Sequence, residues 1–372
     1  MSLSTADVVI VGGGVAGIAT AYYLGKRGIK SVVVERDAVG SHASGFAYGG
    51  LGALDGVDVH RPTHTVAVES MRLHRELAST LQQETGINTE FRDRPSLYLC
   101  FTDEEVEAAK ASLPLRHGQK EYAVSWLDPA GLGSVEPRVS QDALGAVYVE
   151  GMADLEPYRF ILAMTQAAEG LGATVRHGTI TGLRRRGEQV TAVVLDSGEI
   201  NCESVVLAMG PWSAGASDWL GVPIEITPLK GQILRLRAPG APYRCSMNWQ
   251  GNYATTKPDG LVWAGTTEEE AGFDETPTGE ARDQIMADLL KMVPALADAE
   301  LVRQTACLRP LSSDKLMVLG KAPGWEGVYM ATGAGRSGII LGPAMGRITA
   351  DMVATGATGI PIDAFDPARF AR

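Results

Sequence analysis

Two kinds of apolar pattern alternate along the chain. Val8-Val9-Ile10-Val11 is a β-branched run that ends in glycines, the pattern of a strand buried on both faces. Ala16 to Lys26 then sets Ile18, Ala21, Tyr22 and Leu24 on a helical period and ends near Gly28. Ser31 to Val34 is a second β-branched strand that closes on Glu35. A βαβ unit with a right-handed crossover is therefore expected at the start. Arg36 to Gly56, rich in Gly, Ala and Ser, reads as a loop that follows a ligand. Thr63 to Glu84 predicts a long helix, and Pro95 to Phe101 alternates like a strand.

A charged helix is expected over Glu104 to Ser112, among loops that reach residue 140. A second block resembling the first starts near Asp154. Pro157 suits a first helical position, Tyr158 to Leu171 predict a helix, and Thr174–His177, Val190–Leu195 and Ser204–Ala208 predict strands. Alternation in Gln232–Arg237, Asn252–Thr256 and Leu261–Thr266 argues for an antiparallel sheet. Glu280 to Leu296 reads as an amphipathic helix. Val328–Ala331 then gives a strand, followed by a Gly-rich turn and a helix from Gly338 to Thr355. Asp154, Glu156 and Glu268-Glu269-Glu270 read as surface charge or helix-start residues.

Composition narrows the classes. At 372 residues the chain suits two or three domains, and 45% hydrophobic with 21% charged residues excludes disorder, collagen and coiled coil. With 33 Lys+Arg against 44 Asp+Glu, a net charge of −11 argues against a nucleic-acid partner. Cysteines 100, 202, 245 and 307 form no CxxC pair, the histidines form no HExxH, and no metal site is expected. Val8 to Leu24 lacks a basic lead-in and is broken by glycines, so neither an export signal nor a membrane span is expected. A reducing cytoplasm fits.

Gly12-Gly13-Gly14-Val15-Ala16-Gly17 satisfies GxGxxG between a strand and a helix. Gly12 permits the tight turn, Gly14 lets the backbone approach a pyrophosphate, and Gly17 lets helix and strand pack closely. Glu35 follows where an acid would grip a ribose hydroxyl, and its charge disfavours a 2′-phosphate. NAD and FAD both satisfy this motif. FAD is favoured because the second strand runs into a Gly/Ser-rich loop and a distant Gly-rich turn exists at Thr332 to Ile339. The helix after that turn could stabilise charge on a reduced flavin.

With these motifs in view, the sequence resembles the D-amino-acid oxidase-like superfamily of FAD enzymes, most closely its glycine oxidase and sarcosine oxidase branch. The resemblance rests on VVIVGGGVAGIATAYYL with VVVERD, ASGFAYGGLGA, VVLAMGPWSA, PLKGQ, CLRPLSSD and TGAGRSGIILGP, all in family order. It implies an α/β fold. A Rossmann-like FAD-binding domain (residues 1–92, 151–222 and 319–372) is expected to interleave with a smaller α+β substrate domain on an antiparallel sheet (93–150 and 223–318).

The resemblance further implies that Val15, Ala16, Glu35 and Arg36 hold the adenosine end and that Ile180 offers its backbone to the adenine. Ala43, Ser44, Tyr48, Gly49 and Gly50 would follow the ribityl chain and flavin, with Gly210 and Trp212 from VVLAMGPWSA. Ala334, Gly335, Arg336, Ser337, Gly338, Ile339 and Ile340 would run along the ring. Cys307 falls where the sarcosine oxidase branch attaches FAD through sulfur, whereas glycine oxidases have a small residue there and bind FAD non-covalently. A buried cysteine acting only as a small apolar residue favours the non-covalent state, with the covalent one left open.

Arg309 and Arg336 match family positions that face the substrate, and an arginine fork suits a carboxylate. The plain alternative for each is a structural arginine, and Arg336 has a flavin or domain-contact alternative as well. Tyr253 and Trp263 sit on strands expected to roof the pocket, with a core position as the bland reading. Family members often carry His and an aromatic residue where this chain has Ala334 and Gly335, and Pro in place of Met317. The smaller residues suggest a substrate larger than glycine, such as an N-substituted glycine with an apolar tail.

The expected activity is amine or amino-acid oxidation. A hydride leaves the carbon α to the nitrogen of glycine, an N-substituted glycine or a D-amino acid for flavin N5. The resulting imine hydrolyses, and O2 is reduced to H2O2. The alternatives are a D-amino-acid or 2-hydroxyacid dehydrogenase passing electrons to a quinone or other acceptor, and a non-catalytic flavin-binding subunit. The partner set is a small carboxylate-bearing amine and O2, with a homo-oligomer left open.

Overall fold

The computed structural model describes residues 5–54 and 61–371, so Asp55 and Gly56, at the end of the expected ligand loop, lie outside the described residues. The chain starts with β1 (Thr5–Val11), α1 (Val15–Gly25) and β2 (Ser31–Glu35), followed by α2 (Thr63–Thr85). Next come β3 (Ser96–Cys100), α3 (Asp103–His117), β4 (Ala123–Leu127) and β5 (Gly145–Glu150). The chain returns through α4 (Pro157–Gly170) to β6 (Thr174–His177), β7 (Ile180–Arg186), β8 (Gln189–Leu195) and β9 (Gly198–Leu207). Then follow β10 (Ile226–Arg237), β11 (Ser246–Trp249), β12 (Asn252–Thr256), β13 (Val262–Gly265), α5 (Gly279–Met292) and β14 (Glu300–Ser312). The last elements are β15 (Val318–Lys321), β16 (Val328–Thr332) and α6 (Gly338–Thr355).

One eight-stranded sheet runs β7-β8-β9-β1-β2-β6, with β16 joined to β9 and β15 to β16. Its centre is parallel: β1 lies between β9 and β2. The β-branched run of β1 explains that place, because Val8 and Ile10 enter one core while Val9 and Val11 enter the other. The second eight-stranded sheet runs β14-β10-β13-β12-β11-β3-β5-β4 and is antiparallel except between β11 and β3. Both sheets draw strands from separate stretches of the chain, so the sequence passes repeatedly between them.

Helices α1 and α6 pack on one face of the first sheet. A Cβ at Gly346 would collide with the backbone of Ala19 and Thr20, and one at Gly342 with Val15. Helix α2 buries Val66, Leu73, Leu77 and Leu81 on one face.

Several elements differ from expectation for physical reasons. Strand β9 starts at Gly198, earlier than expected, because its first residues pair with β8 in a hairpin before the later ones join β1 and β16. Helix α5 stops at Met292, short of Leu296, with Pro294 opening a 3-10 turn. Helix α3 runs on to His117 through Pro114. Thr102 caps it by accepting from the Glu105 N–H, acids fill its first turn, and Arg116 and His117 end it.

Candidate active site

A cavity of about 690 Å³ runs from the glycine turn after β1 to the turn after β16 and on to the inner face of the second sheet. Its nucleotide end is built tightly. Gly12 has φ +110° and faces the Ala208 carbonyl so closely that no Cβ fits. The Gly13 N–H donates to Glu35 Oε2 at 2.6 Å, and Glu35 Oε1 accepts from the Asp37 N–H at 2.8 Å. The carboxylate is thereby fixed at the end of β2. Helix α1 begins at Gly14 with no side-chain cap, and the Val15 N–H donates to Ser44 Oγ at 3.1 Å. Gly12, Gly14, Val15, Ala16, Glu35 and Arg36 all line the cavity, as does Ile180. Gly17 lies behind them, its Cα against the Gly12 carbonyl. Arg36 stacks over Trp212 at 4.4 Å, and His42 meets the same ring edge-on at 4.7 Å.

The middle of the cavity is lined by Ala43, Ser44, Tyr48, Gly49, Gly50 and Gly210, and by the late turn from Ala334 to Ile340. Tyr48 stacks on Tyr253 with centroids 4.0 Å apart and rings 16° from parallel. A buried charge cluster braces this stack. Asp154 takes Arg92 in two hydrogen bonds of 2.7 and 3.1 Å, with Arg94 at 3.6 Å and Lys257 at 3.9 Å. Asp154 is wholly buried, which corrects its reading as surface charge; Glu156 is the helix-start residue, accepting from the Arg159 N–H. Lys257 donates to the Leu155 carbonyl at 2.7 Å and lies 5.2 Å from the Tyr48 ring, and burial lowers its pKa to about 8.

At the substrate end, Arg309 projects from β14 and is buried. Nη2 donates to Thr266 Oγ1 at 2.6 Å and Nη1 to the Thr267 carbonyl at 3.1 Å. Both acceptors are neutral. Burial holds the guanidinium below its ordinary pKa, yet arginine keeps its proton in proteins. It is therefore a cation that an incoming anion would stabilise. The guanidinium lies over Gly231 of β10, where any Cβ would collide with it.

Arg336 lines the same cavity but spends its donors on Glu268 Oε1 at 3.1 Å and the Gly251 carbonyl at 2.7 Å. It clamps the late turn to the second sheet, the domain-contact alternative. Tyr253 is buried, and its phenol is raised above the usual range by burial. Cys307, two residues before Arg309, faces the cavity, and burial raises its thiol too. Trp263 departs from the expectation that it roofs the pocket. It is buried outside the cavity lining, under Arg235 at 3.9 Å, its indole N–H donating to Asp259 Oδ2 at 3.1 Å. Register explains this: Trp263 pairs with Thr255, two residues from the Tyr253–Gly265 pair, toward the far end of the strands.

Gly231, Thr266 and Thr267 position Arg309, and sequence reasoning missed all three. The signal was the glycine of PLKGQ inside a strand, which marks a close approach. His74 was missed as well: from α2, its Nε2–H donates to the Ile339 carbonyl at 2.9 Å and pins the late turn.

The extended cavity, the uncapped helix N-terminus and the fixed carboxylate at one end fit a dinucleotide, and the lining runs on from there to Arg309. Comparison with known proteins supplies the identity of that group. Residues 7–352 match the family described as FAD dependent oxidoreductase. The glycine oxidase of Pseudomonas aeruginosa is 31% identical over 360 residues, covering 93% of this chain and 94% of its own. The crystal structure of glycine oxidase from Geobacillus kaustophilus superposes with a TM-score of 0.93 at 28% identity, covering 98% of each chain. Iminodiacetate oxidase from Chelativorans sp. shares the fold, with a TM-score of 0.89 at 23% identity over 97% of this chain and 98% of its own. The NAD reading is thereby set aside, and the chain belongs to the family of FAD-dependent oxidoreductases.

Proposed function

We propose that this enzyme oxidises a carboxylate-bearing amine, a glycine, N-substituted glycine or D-amino acid, at the carbon next to nitrogen. The observation that carries the reading is Arg309, a buried guanidinium on the cavity wall whose hydrogen bonds among the described residues go only to neutral oxygens. When bound, FAD supplies a hydride acceptor at N5 and passes the electrons to O2, giving H2O2. Gly12, Gly14, Val15, Ala16 and Glu35 would hold its nucleotide half, and Tyr48, Gly49, Gly210 and Ala334 to Ile340 its flavin half.

Arg309 grips the substrate carboxylate through two parallel hydrogen bonds and so fixes the direction in which the adjacent C–H bond points. Tyr253 keeps its phenol proton because burial opposes ionisation, so it packs the substrate rather than acting as a base. The amine binds without its extra proton, and the product imine is hydrolysed by water. Gly335 supports a substrate larger than glycine, since among the described residues a Cβ there would meet only Leu311, at 3.7 Å. Cys307, held protonated by burial, supports non-covalent FAD. The cysteines are buried and free, in keeping with a cytoplasmic enzyme. Among the described residues no helix is long and apolar enough to cross a membrane.

The test is an anaerobic screen of amino acids, N-alkylglycines and 2-hydroxy acids with the holoenzyme, followed by a peroxide assay in air. Bleaching of the flavin by amines and stoichiometric H2O2 are expected. Bleaching by hydroxy acids alone would overturn the amine assignment, and bleaching without peroxide would make the enzyme a dehydrogenase.

A further inference from the structure

One cationic group on the cavity wall has no part in the chemistry above. Arg116 ends α3 with its guanidinium 5.3 Å from the centre of the Tyr98 ring, and both residues line the cavity. Nη1 of Arg116 is shut off from solvent and meets no hydrogen-bond partner among the described residues. A buried donor left unmade is costly, and in a chain with 44 acidic residues against 33 basic ones a carboxylate partner would have been easy to supply. Other atoms of the same side chain line the space a ligand would enter.

Strand register connects this arginine to Arg309. Tyr98 of β3 pairs with Asn248 of β11, Asn248 with Tyr253 of β12, Tyr253 with Gly265 of β13, and Gly265 with Ile233 of β10. Paired residues share a face of the sheet, and Tyr98, Asn248, Tyr253 and Ile233 all line the cavity. Gly231, beneath the Arg309 guanidinium, lies two residues from Ile233 on the same face. A polar and aromatic floor therefore runs from Arg309 to Arg116. Four strand spacings of about 4.8 Å separate β10 from β3, so the two cations stand on the order of 19 Å apart.

We propose that Arg116 receives a second anionic group of the substrate. The substrate class is then an N-substituted glycine whose nitrogen carries an extended arm ending in a carboxylate. Its α-carboxylate goes to Arg309 and its terminal carboxylate to Arg116, with the arm lying along Tyr253, Asn248 and Tyr98. The spacing is too long for two carboxylates that each sit one carbon from the same nitrogen. This assignment rests on the amine-oxidase reading of the site, and two measurements on the holoenzyme separate the two.

The first is redox-inert: nonanedioate and nonanoate are titrated into the oxidised protein and followed by flavin absorbance. The dicarboxylate should bind about tenfold tighter or more, the scale of a charge-assisted hydrogen bond, and Arg116→Gln should bring the ratio toward one. Equal affinities in the unaltered protein would overturn the proposal. The second is turnover: kcat/KM for N-(5-carboxypentyl)glycine should exceed that for N-hexylglycine by a similar factor, carried by KM, and Arg116→Gln should abolish the preference. If N-alkylglycines turn over with no gain from the terminal carboxylate, Arg116 is removed from the site while the oxidase reading stands. If no amine reduces the flavin, the oxidase reading falls, and the titration alone decides whether the two guanidinia form a dicarboxylate site.

Discussion

Arg309 and Gly231 form one device shared by two strands. The guanidinium occupies the space over β10 that a side chain at Gly231 would take. Gly231→Ala is therefore expected to push Arg309 off Thr266 and Thr267, lowering kcat/KM at least tenfold through KM while thermal stability changes little, since the displaced group is the end of a flexible side chain. Arg309→Ala should cost about 3–5 kcal/mol in kcat/KM, the scale of a buried charge losing its partner. A KM within twofold of the parent in both variants would take Arg309 out of the pocket. For Cys307, acid precipitation should leave the yellow colour in the supernatant, and a coloured pellet would show a flavin–sulfur bond. Arg309 was legible in the sequence because CLRPLSSD carries it. Arg116 was not, because nothing local distinguishes an arginine at a helix end from a solvated one until the fold sets it over Tyr98 on the cavity wall. Trp263 misled for the same reason: its strand was read correctly, but its position along the strand is a matter of register.

At the scale of elements, His74 links α2 to the first turn of α6. It is buried, and desolvation lowers its pKa to about 4, so in the native protein it stays neutral and donates to Ile339. Unfolded chains protonate histidine near pH 6.5. Between those values the unfolded state binds the extra proton, so stability falls as pH drops through that window, by about 3 kcal/mol in all and about 2 kcal/mol by pH 5. Thermal unfolding at pH 7 and pH 5 checks this. His74→Gln should be less stable at pH 7 but lose less on acidification, and an identical loss in both proteins would refute the assignment. Periodic elements such as β1, α1, α2 and α6 were readable because one pattern decides them. Strand β7 escaped notice because it ends in Arg184, Arg185 and Arg186 at the sheet edge, where apolar alternation is not required.

At the scale of the whole molecule, the cavity lies where both sheets and the late turn meet, so FAD binding and folding are thermodynamically linked. Added FAD should raise the melting temperature of the deflavinated protein, with about 2.7 kcal/mol of stabilisation at a hundredfold excess over Kd. A melting temperature indifferent to FAD would mean that the cavity is not where the coenzyme sits. The interleaving itself was legible, because nucleotide-type motifs recur along the sequence with strand-rich stretches between them. The pairing order within the second sheet was not, since alternation shows that a segment is a strand and says nothing of its neighbours.

The glycine contacts between α1 and α6 bear on how the enzyme is made. The two turns that line the cavity are held in place by helices more than 300 residues apart in the chain. A ribosome exposes the first turn more than 300 residues before its partner, and long-range closures of this kind form late. Flavin loading accordingly waits until both turns have been made. Until then the nascent chain needs protection of its exposed apolar sheet, so the supply of riboflavin-derived coenzyme in an expression host should govern soluble yield.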